Sequence, residues 1–318
     1  MQNAEFMMDL HELKARIFEF DNVLIVAHID PDPDTLGSAL GLKKIFEKQN
    51  KSAFVVCDTK VNERVCKYFD VSPELDSARV EFEPKHIICV DAAALSQIGK
   101  YEKYYSSDMS KNRIDIVIDH HYTNSRYGKE NYIDELSSAT GEIIFELAAL
   151  CGLEIDADFA KSVYLAIVCD SGHFGYSSTT PKTMRIAAEL MATGFDFAGV
   201  NRLIRTKTKQ QIEFDRLAYN SLKFYAEGKI AVITITNEIK KAAGLEGQEV
   251  EGINEIAKSV EGVEVGAVIK QTDSNEFKIS LRSNEYVNVA KIAELYGGGG
   301  HIKAAGCKIE GYADAEEL

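Results

Sequence analysis

Short runs of consecutive apolar, mostly β-branched residues recur along the first half of the chain, separated by longer stretches with apolar positions at helical spacing. NVLIVA (22–27), AFVVC (53–57), HIICVD (86–91) and IDIVID (114–119) lack polar alternation, so both faces of each strand need covering. Stretches such as 35–50 and 139–151 supply the intervening helices. This alternation predicts a parallel sheet with helices on both faces. Thr180 followed by Pro181 pairs a natural N-cap with a natural first helical residue, and a helical region extends from there to about Ala226. After Gly228 the texture changes: IAVITIT (230–236), VEVGAVIK (263–270) and FKISLRS (277–283) read as strands, with helices near 252–260 and 287–296. The expected fold class is α/β, with one domain over 1–195, a helical connector over 196–227 and a smaller α/β domain over 228–318.

Sheets of this kind gather ligands beyond the carboxyl ends of their strands. The first strand runs into AHIDPDPDTLGS (27–38), which sets His28, Asp30, Asp32 and Asp34 side by side. A single loop aspartate is more readily a turn former or N-cap. Clustered carboxylates, however, repel one another unless a cation or proton offsets their charge. Asp91 ends the third run, Asp119, His120 and His121 end the fourth, and Asp170 ends the apolar segment SVYLAIVCD. Oxygen and imidazole donors without thiolate suit manganese, magnesium or cobalt rather than a closed structural zinc site. Their number suggests two ions, an arrangement suited to in-line phosphoester hydrolysis.

Composition narrows the class of substrate. The net charge of −14 disfavours broad binding to long nucleic acid, which relies on many lysine and arginine contacts to phosphate. A small anion remains compatible, because bound metal ions supply local positive charge. Arg202, Arg205, Lys207 and Lys209 concentrate positive charge beside the connector, either to guide an oligonucleotide or simply as a solvated helix face. The N-terminal stretch lacks the apolar core of a signal peptide and no apolar run reaches membrane-spanning length, so a cytoplasmic protein with no membrane partner is expected. The six scattered cysteines read as reduced, mostly buried thiols.

Taken together, HIDPDPD (28–34), VDAA (90–93), DHH (119–121) and CDSG (169–172) resemble the DHH phosphoesterase family, in that family's order. SLRS (280–283) and GGGGHIKAAGC (297–307) resemble its associated substrate domain. The resemblance implies that His28, Asp32 and Asp91 hold one ion and Asp34, Asp91, His120 and Asp170 the other, with Asp91 bridging. It further implies that Asp119 fixes the histidine pair, that His121 approaches the substrate phosphate, and that Arg282, Ser283, Gly298, Gly299, Gly300 and His301 bind substrate. Four consecutive glycines permit positive φ and an amide nest for an anion, whereas a helix C-cap normally takes one. Asp30 falls outside the pattern and is either solvent-exposed, an orienting partner of His28 or a cap of the turn, the structural role being preferred, and His173 departs from the residue expected in its segment. The two-domain layout looks most like the nanoRNase and pAp phosphatase branch. That branch implies a manganese-dependent hydrolase of short oligoribonucleotides, and of short DNA as a second candidate, that also removes phosphate from pAp (3′-phosphoadenosine 5′-phosphate). A homodimer is a further expectation. The rival readings are a cyclic-di-AMP or linear-dinucleotide phosphodiesterase of the same fold and, from another class, a non-catalytic nucleotide-binding protein.

Overall fold

The computed structural model describes residues 7–77, 83–246, 253–273 and 275–312. The chain divides into two compact units, Met1–Arg205 and Thr206–Leu318.

In the first unit five strands, β1 (Val23–Val26), β2 (Ala53–Val56), β3 (His86–Val90), β4 (Ile116–Asp119) and β5 (Glu130–Ile133), form an all-parallel sheet in the order β2-β1-β3-β4-β5. Alternate residues point to opposite faces of a strand, and both sets are buried. Val23, Ile25, Ile88, Val90, Ile116 and Ile118 enter one core, while Leu24, Val26, Ile87, Cys89 and Val117 enter the other. Each such side chain contributes about 1.5–3 kcal/mol on full burial. The first core lies under α1 (Leu10–Glu19), α2 (Pro33–Glu47), α3 (Glu63–Phe69), α4 (Thr140–Leu150), α5 (Ala157–Asp170), α6 (Pro181–Ala192) and α7 (Phe197–Arg205). The second is covered by a 3₁₀ segment, Leu95–Tyr104, through Ile98 and Tyr101. Helical cover on both faces therefore holds, supplied on the second face by a 3₁₀ segment.

The strand order reverses between β1 and β3, which opens a crevice at their carboxyl ends. α2 and α5 pack closely there, because a Cβ on Gly37 would lie 2.4 Å from the Ser162 carbonyl oxygen. This approach carries Asp34, one turn before Gly37, and Asp170, the last residue of α5, to the same end of the sheet.

The second unit contains α8 (Lys209–Asn220), β6 (Lys223–Tyr225), β7 (Ile230–Ile235), α9 (Asn237–Ala242), α10 (Ile253–Lys258), β8 (Val265–Asp273), β9 (Glu276–Ser283), α11 (Val289–Glu294), β10 (Gly299–His301) and β11 (Ala304–Glu310). Its mixed sheet runs β10-β11-β9-β8-β7-β6, with only β7 and β8 parallel. The segment expected as a connector divides: Val200 and Ile204 of α7 enter the first unit's core, and Phe214 and Ala218 of α8 enter the second's. Among the described residues no helix is long and apolar enough to cross a membrane.

Candidate metal centre

Each side chain of the candidate centre arrives at the crevice through a distinct local device. Asp32 is the N-cap of α2, and one of its oxygens accepts the Thr35 amide at 2.9 Å. Its other oxygen faces His28 Nε2 at 3.9 Å, so capping and site geometry are served by one residue. His28 Nδ1 lies 2.6 Å from the Ile29 carbonyl, which can only accept. The proton is therefore on Nδ1, and the Nε2 lone pair points at the acids. His120 repeats this arrangement: Nδ1 donates to the Ser137 carbonyl at 3.2 Å. Its Nε2 is buried with no hydrogen-bond partner among the described residues. Around that atom lie Asp34 Oδ2 at 3.7 Å, Asp91 Oδ1 at 3.7 Å and Asp170 Oδ2 at 3.5 Å.

Asp91 links two groups of donors. Its Oδ2 faces His28 Nε2 at 3.9 Å and its Oδ1 faces His120. Hydroxyls orient both oxygens, with Thr35 Oγ1 donating to Oδ2 at 2.5 Å and Thr140 Oγ1 to Oδ1 at 2.9 Å. Asp34 is held by the Ser38 hydroxyl at 3.0 Å and by the Thr140 and Gly141 amides at 2.8 and 3.0 Å. Asp119 is spent on orientation: Oδ1 accepts the His120 amide at 2.8 Å and His121 Nδ1 at 2.8 Å, while Oδ2 accepts Asn124 Nδ2 at 2.6 Å.

The electrostatics of this cluster are unbalanced. Burial, together with the charges of Asp91, Asp170 and Asp32, pushes the Asp34 carboxyl well above its ordinary value. Burial and Asp32 likewise raise Asp91. Burial lifts Asp170 to about 6, with His120 opposing and Asp91 and Asp32 adding. Burial works against charge on His121, but its bond to Asp119 and the nearby carboxylates outweigh that and take it to about 9. In three groups the candidate ligand atoms all lie within 4.8 Å of one another: His28, Asp32, Asp91; Asp34, His120, Asp170; and Asp91, Asp119, His120, His121. Nitrogen–oxygen separations of 3.5–3.9 Å exceed hydrogen-bond length but fit within the span of about 4.2 Å open to two ligands bonded to one ion at about 2.1 Å each. An orphaned buried imidazole nitrogen facing hard oxygen donors fits divalent cations, and cations would reverse the upward shifts.

Other expected residues are placed differently. The Asp30 amide donates to Thr59 Oγ1 at 2.6 Å, with the backbone at φ 51°, which suits a turn residue. His173 lies in a left-handed stretch, φ 58°, 56° and 64° over Gly172, His173 and Phe174. Arg202, Arg205, Lys207 and Lys209 are exposed, and Lys207 pairs with Asp215 at 2.6 Å. In the second unit Arg282 is half-buried on β9, donating to the Leu281 carbonyl at 3.0 Å. Ser283 requires correction: it is 5% exposed and its hydroxyl donates to Glu264 at 3.0 Å, so it supports a loop rather than facing a ligand. The glycine run is also not one open nest. Gly297, φ 71°, and Gly298 close the end of α11 with amides donating to Glu294 and Ala293, which withdraws the expected Gly298 amide from a ligand. Gly299 and Gly300 belong to the edge strand β10. The side chain of His301 lies outside the described residues.

One contributor was absent from the sequence reading. The segment 134–142 offers its Ser137 carbonyl, its Thr140 and Gly141 amides and its Thr140 hydroxyl to three of the clustered side chains. Its sequence signal, hydroxyl residues before a helix, looks like ordinary N-capping.

Comparison with known proteins agrees with this geometry. The DHH family N-terminal domain is matched over residues 22–167 and the DHHA1 domain over 227–318. The chain is 28% identical over 91% of its length, and 84% of the relative's, to the bifunctional oligoribonuclease and PAP phosphatase NrnA of Thermus thermophilus. It is 25% identical over 97% of its length to the cyclic-di-AMP phosphodiesterase GdpP of Bacillus subtilis, covering 48% of that protein. An exopolyphosphatase-related protein from Bacteroides fragilis superposes with a TM-score of 0.84 at 26% identity, over 97% of this chain and 92% of that one. The parallel sheet with metal-suited carboxylates and histidines at its switch point is thus a DHH family N-terminal domain over residues 22–167, and it is followed by a DHHA1 domain over 227–318.

Proposed function

We propose that the chain is a two-ion phosphoesterase that hydrolyses short oligoribonucleotides to mononucleotides and removes phosphate from pAp. The observation that carries this reading is the His120 Nε2 atom, buried, unpartnered and ringed by three carboxylates. His28, Asp32 and Asp91 would hold one divalent ion, and Asp34, Asp91, His120 and Asp170 the other, with manganese the preferred metal and magnesium or cobalt as substitutes. When bound, such a pair activates water and stabilises charge on phosphoryl oxygens.

The chain's own residues do the rest. Ile29 and Ser137 carbonyls keep the histidine lone pairs directed inward. Thr35, Thr140 and Ser38 hold the two buried aspartates in place, and cost no reorganisation during turnover. His121, its Nδ1 held by Asp119, can in its protonated form donate a hydrogen bond to a substrate phosphate or a proton to the departing oxygen. Arg282 and whichever amide of the Gly299–Gly300 pair faces away from β11 would capture the remainder of the substrate, Arg282 by a bidentate contact. An acidic chain offers each additional nucleotide little attraction, so activity per end should fall with length. This chain matches 84% of the Thermus thermophilus oligoribonuclease and PAP phosphatase but only 48% of the cyclic-di-AMP phosphodiesterase, which favours this reading over cyclic-di-AMP hydrolysis.

Catalytic efficiency on RNA of two, five and about twenty nucleotides, on pAp and on cyclic di-AMP, at one salt concentration with manganese, tests the proposal. Highest efficiency on the shortest RNA, with turnover of pAp, is expected. Preference for the longest RNA would refute it, and strong preference for cyclic di-AMP would install the rival phosphodiesterase reading.

A further inference from the structure

A second knot of acidic groups lies behind the candidate metal centre, and there the cation is a side chain. Lys182 on α6 donates to Ser137 Oγ at 2.9 Å and to Glu146 Oε2 at 3.2 Å, with Asp134 Oδ2 at 3.4 Å and Glu142 Oε2 at 3.3 Å. Glu142 has no exposed surface; its Oε2 accepts no hydrogen bond among the described residues and faces the Lys182 charge, while Oε1 takes the Ser138 and Thr183 hydroxyls at 2.5 and 2.6 Å. Without the ammonium, Asp134, Glu142 and Glu146 would repel across one short stretch of chain. That stretch is the segment whose Ser137 carbonyl fixes His120 and whose Thr140 and Gly141 amides and Thr140 hydroxyl orient Asp34 and Asp91 Oδ1.

We propose that Lys182 is a positioning residue for the metal centre: its ammonium clamps the 134–142 segment, and through it sets the lone pairs that Asp34, His120 and Asp91 Oδ1 present to one of the two ions. This rests on the two-ion reading above. The clamp is selective, because every atom it governs belongs to the group around His120. The group around His28 is oriented by the Ile29 carbonyl and by Thr35 instead. Outer partners of this kind typically change metal affinity by about 10–100-fold when lost.

The test is calorimetric titration of the metal-free full chain with manganese chloride, together with amide hydrogen exchange of the metal-free protein. Removing Lys182 alone would leave buried Glu142 uncompensated and endanger folding. The decisive variant is therefore the double substitution Lys182→Met with Glu142→Gln, and Lys182→Arg, which keeps the charge, is the rescue. In the double variant one of two binding events should weaken by about 10–100-fold while the other changes less than about threefold. Exchange at Ser137–Gly141 should quicken with the β1 and β3 amides unchanged, and Lys182→Arg should recover most of both effects. Two binding events at wild-type affinity, or equal weakening of both alongside faster exchange throughout the unit, would overturn the proposal. If the wild-type chain bound no manganese, the two-ion reading would fall, and the exchange pattern at Ser137–Gly141 would still decide whether the clamp exists.

Discussion

Asp34 in the first unit and Glu264 in the second are both buried carboxylates, 2% and 5% exposed, with similar supplies of hydrogen bonds. Asp34 accepts one hydroxyl and two amides; Glu264 accepts the Ser283 hydroxyl and the amides of Glu285, Tyr286 and Val287. Their acidities nevertheless move in opposite directions. Burial opposes ionisation of Glu264, but the three amides and the hydroxyl outweigh it and hold the carboxyl at about 2. Asp34 has Asp91, Asp170 and Asp32 around it and rises. The count of donors does not separate a structural carboxylate from a functional one. Uncompensated like charge does, because only an outside cation or proton can relieve it.

The largest expected consequence is at the first site. Asp91→Ala or His120→Ala should lower turnover by on the order of 10³-fold or more while circular dichroism stays native, since each removes a donor at the sheet edge without opening the core. Near-normal manganese-supported turnover in both variants would break the comparison at its functional end. Next, Arg282→Ala should raise KM by about tenfold with metal content unchanged, as measured by elemental analysis. Loss of metal in that variant would contradict the division of labour between the two domains.

At the second carboxylate the effect is on stability alone. Glu264→Gln should destabilise the protein by about 1.5–3 kcal/mol, the worth of hydrogen bonds to a charged group, without altering metal binding. The pH arm follows from the sign of the shift: a carboxyl ordinarily at 4.5 and held near 2 in the folded state adds stability that is complete above pH 4.5 and is lost as pH falls toward 2. Denaturant titrations of wild type and Glu264→Gln should therefore converge over that window, and parallel curves would show that the loop does not draw on the charge. The smallest effect is expected at Asp170, where Asp170→Asn removes one repelling charge. The metal-free protein should gain about 1 kcal/mol or less, because Asp170 is partly exposed and solvent screens it. A loss of stability there would mean that Asp170 is already compensated.

Much of the first site was legible because its residues sit directly after strands whose apolar runs have no polar alternation, so their ends are readable by residue type. Asp91 and Asp119 end such runs, and His28 follows one within two residues. Asp170 was legible as an element end, although that element is a helix. The 134–142 segment was not legible: only the tertiary fold brings the start of α4 to Asp34 of α2 and to Asp91 just after β3, where Thr140 turns its hydroxyl to Asp91, and the N-cap Ala139 makes no side-chain cap. β5, ENYI, is short and half polar because it lies at the sheet edge, and it carried no strand signal. The glycine run misled in part because one sequence feature serves two purposes. Gly297 and Gly298 end a helix, and Gly300, φ 140°, belongs to an edge strand where a Cβ would lie 2.5 Å from the Ala304 carbonyl oxygen.

The most direct measurement is thermal unfolding of the metal-free chain as manganese is added, with the bound ions counted by equilibrium dialysis. The melting temperature should rise and level off at two ions per chain, because ions that bind the folded cluster relieve its repulsion, and Asp91→Asn should abolish most of the rise. An unchanged melting temperature with no bound ion at saturating manganese would contradict the view that these carboxylates are gathered to hold cations.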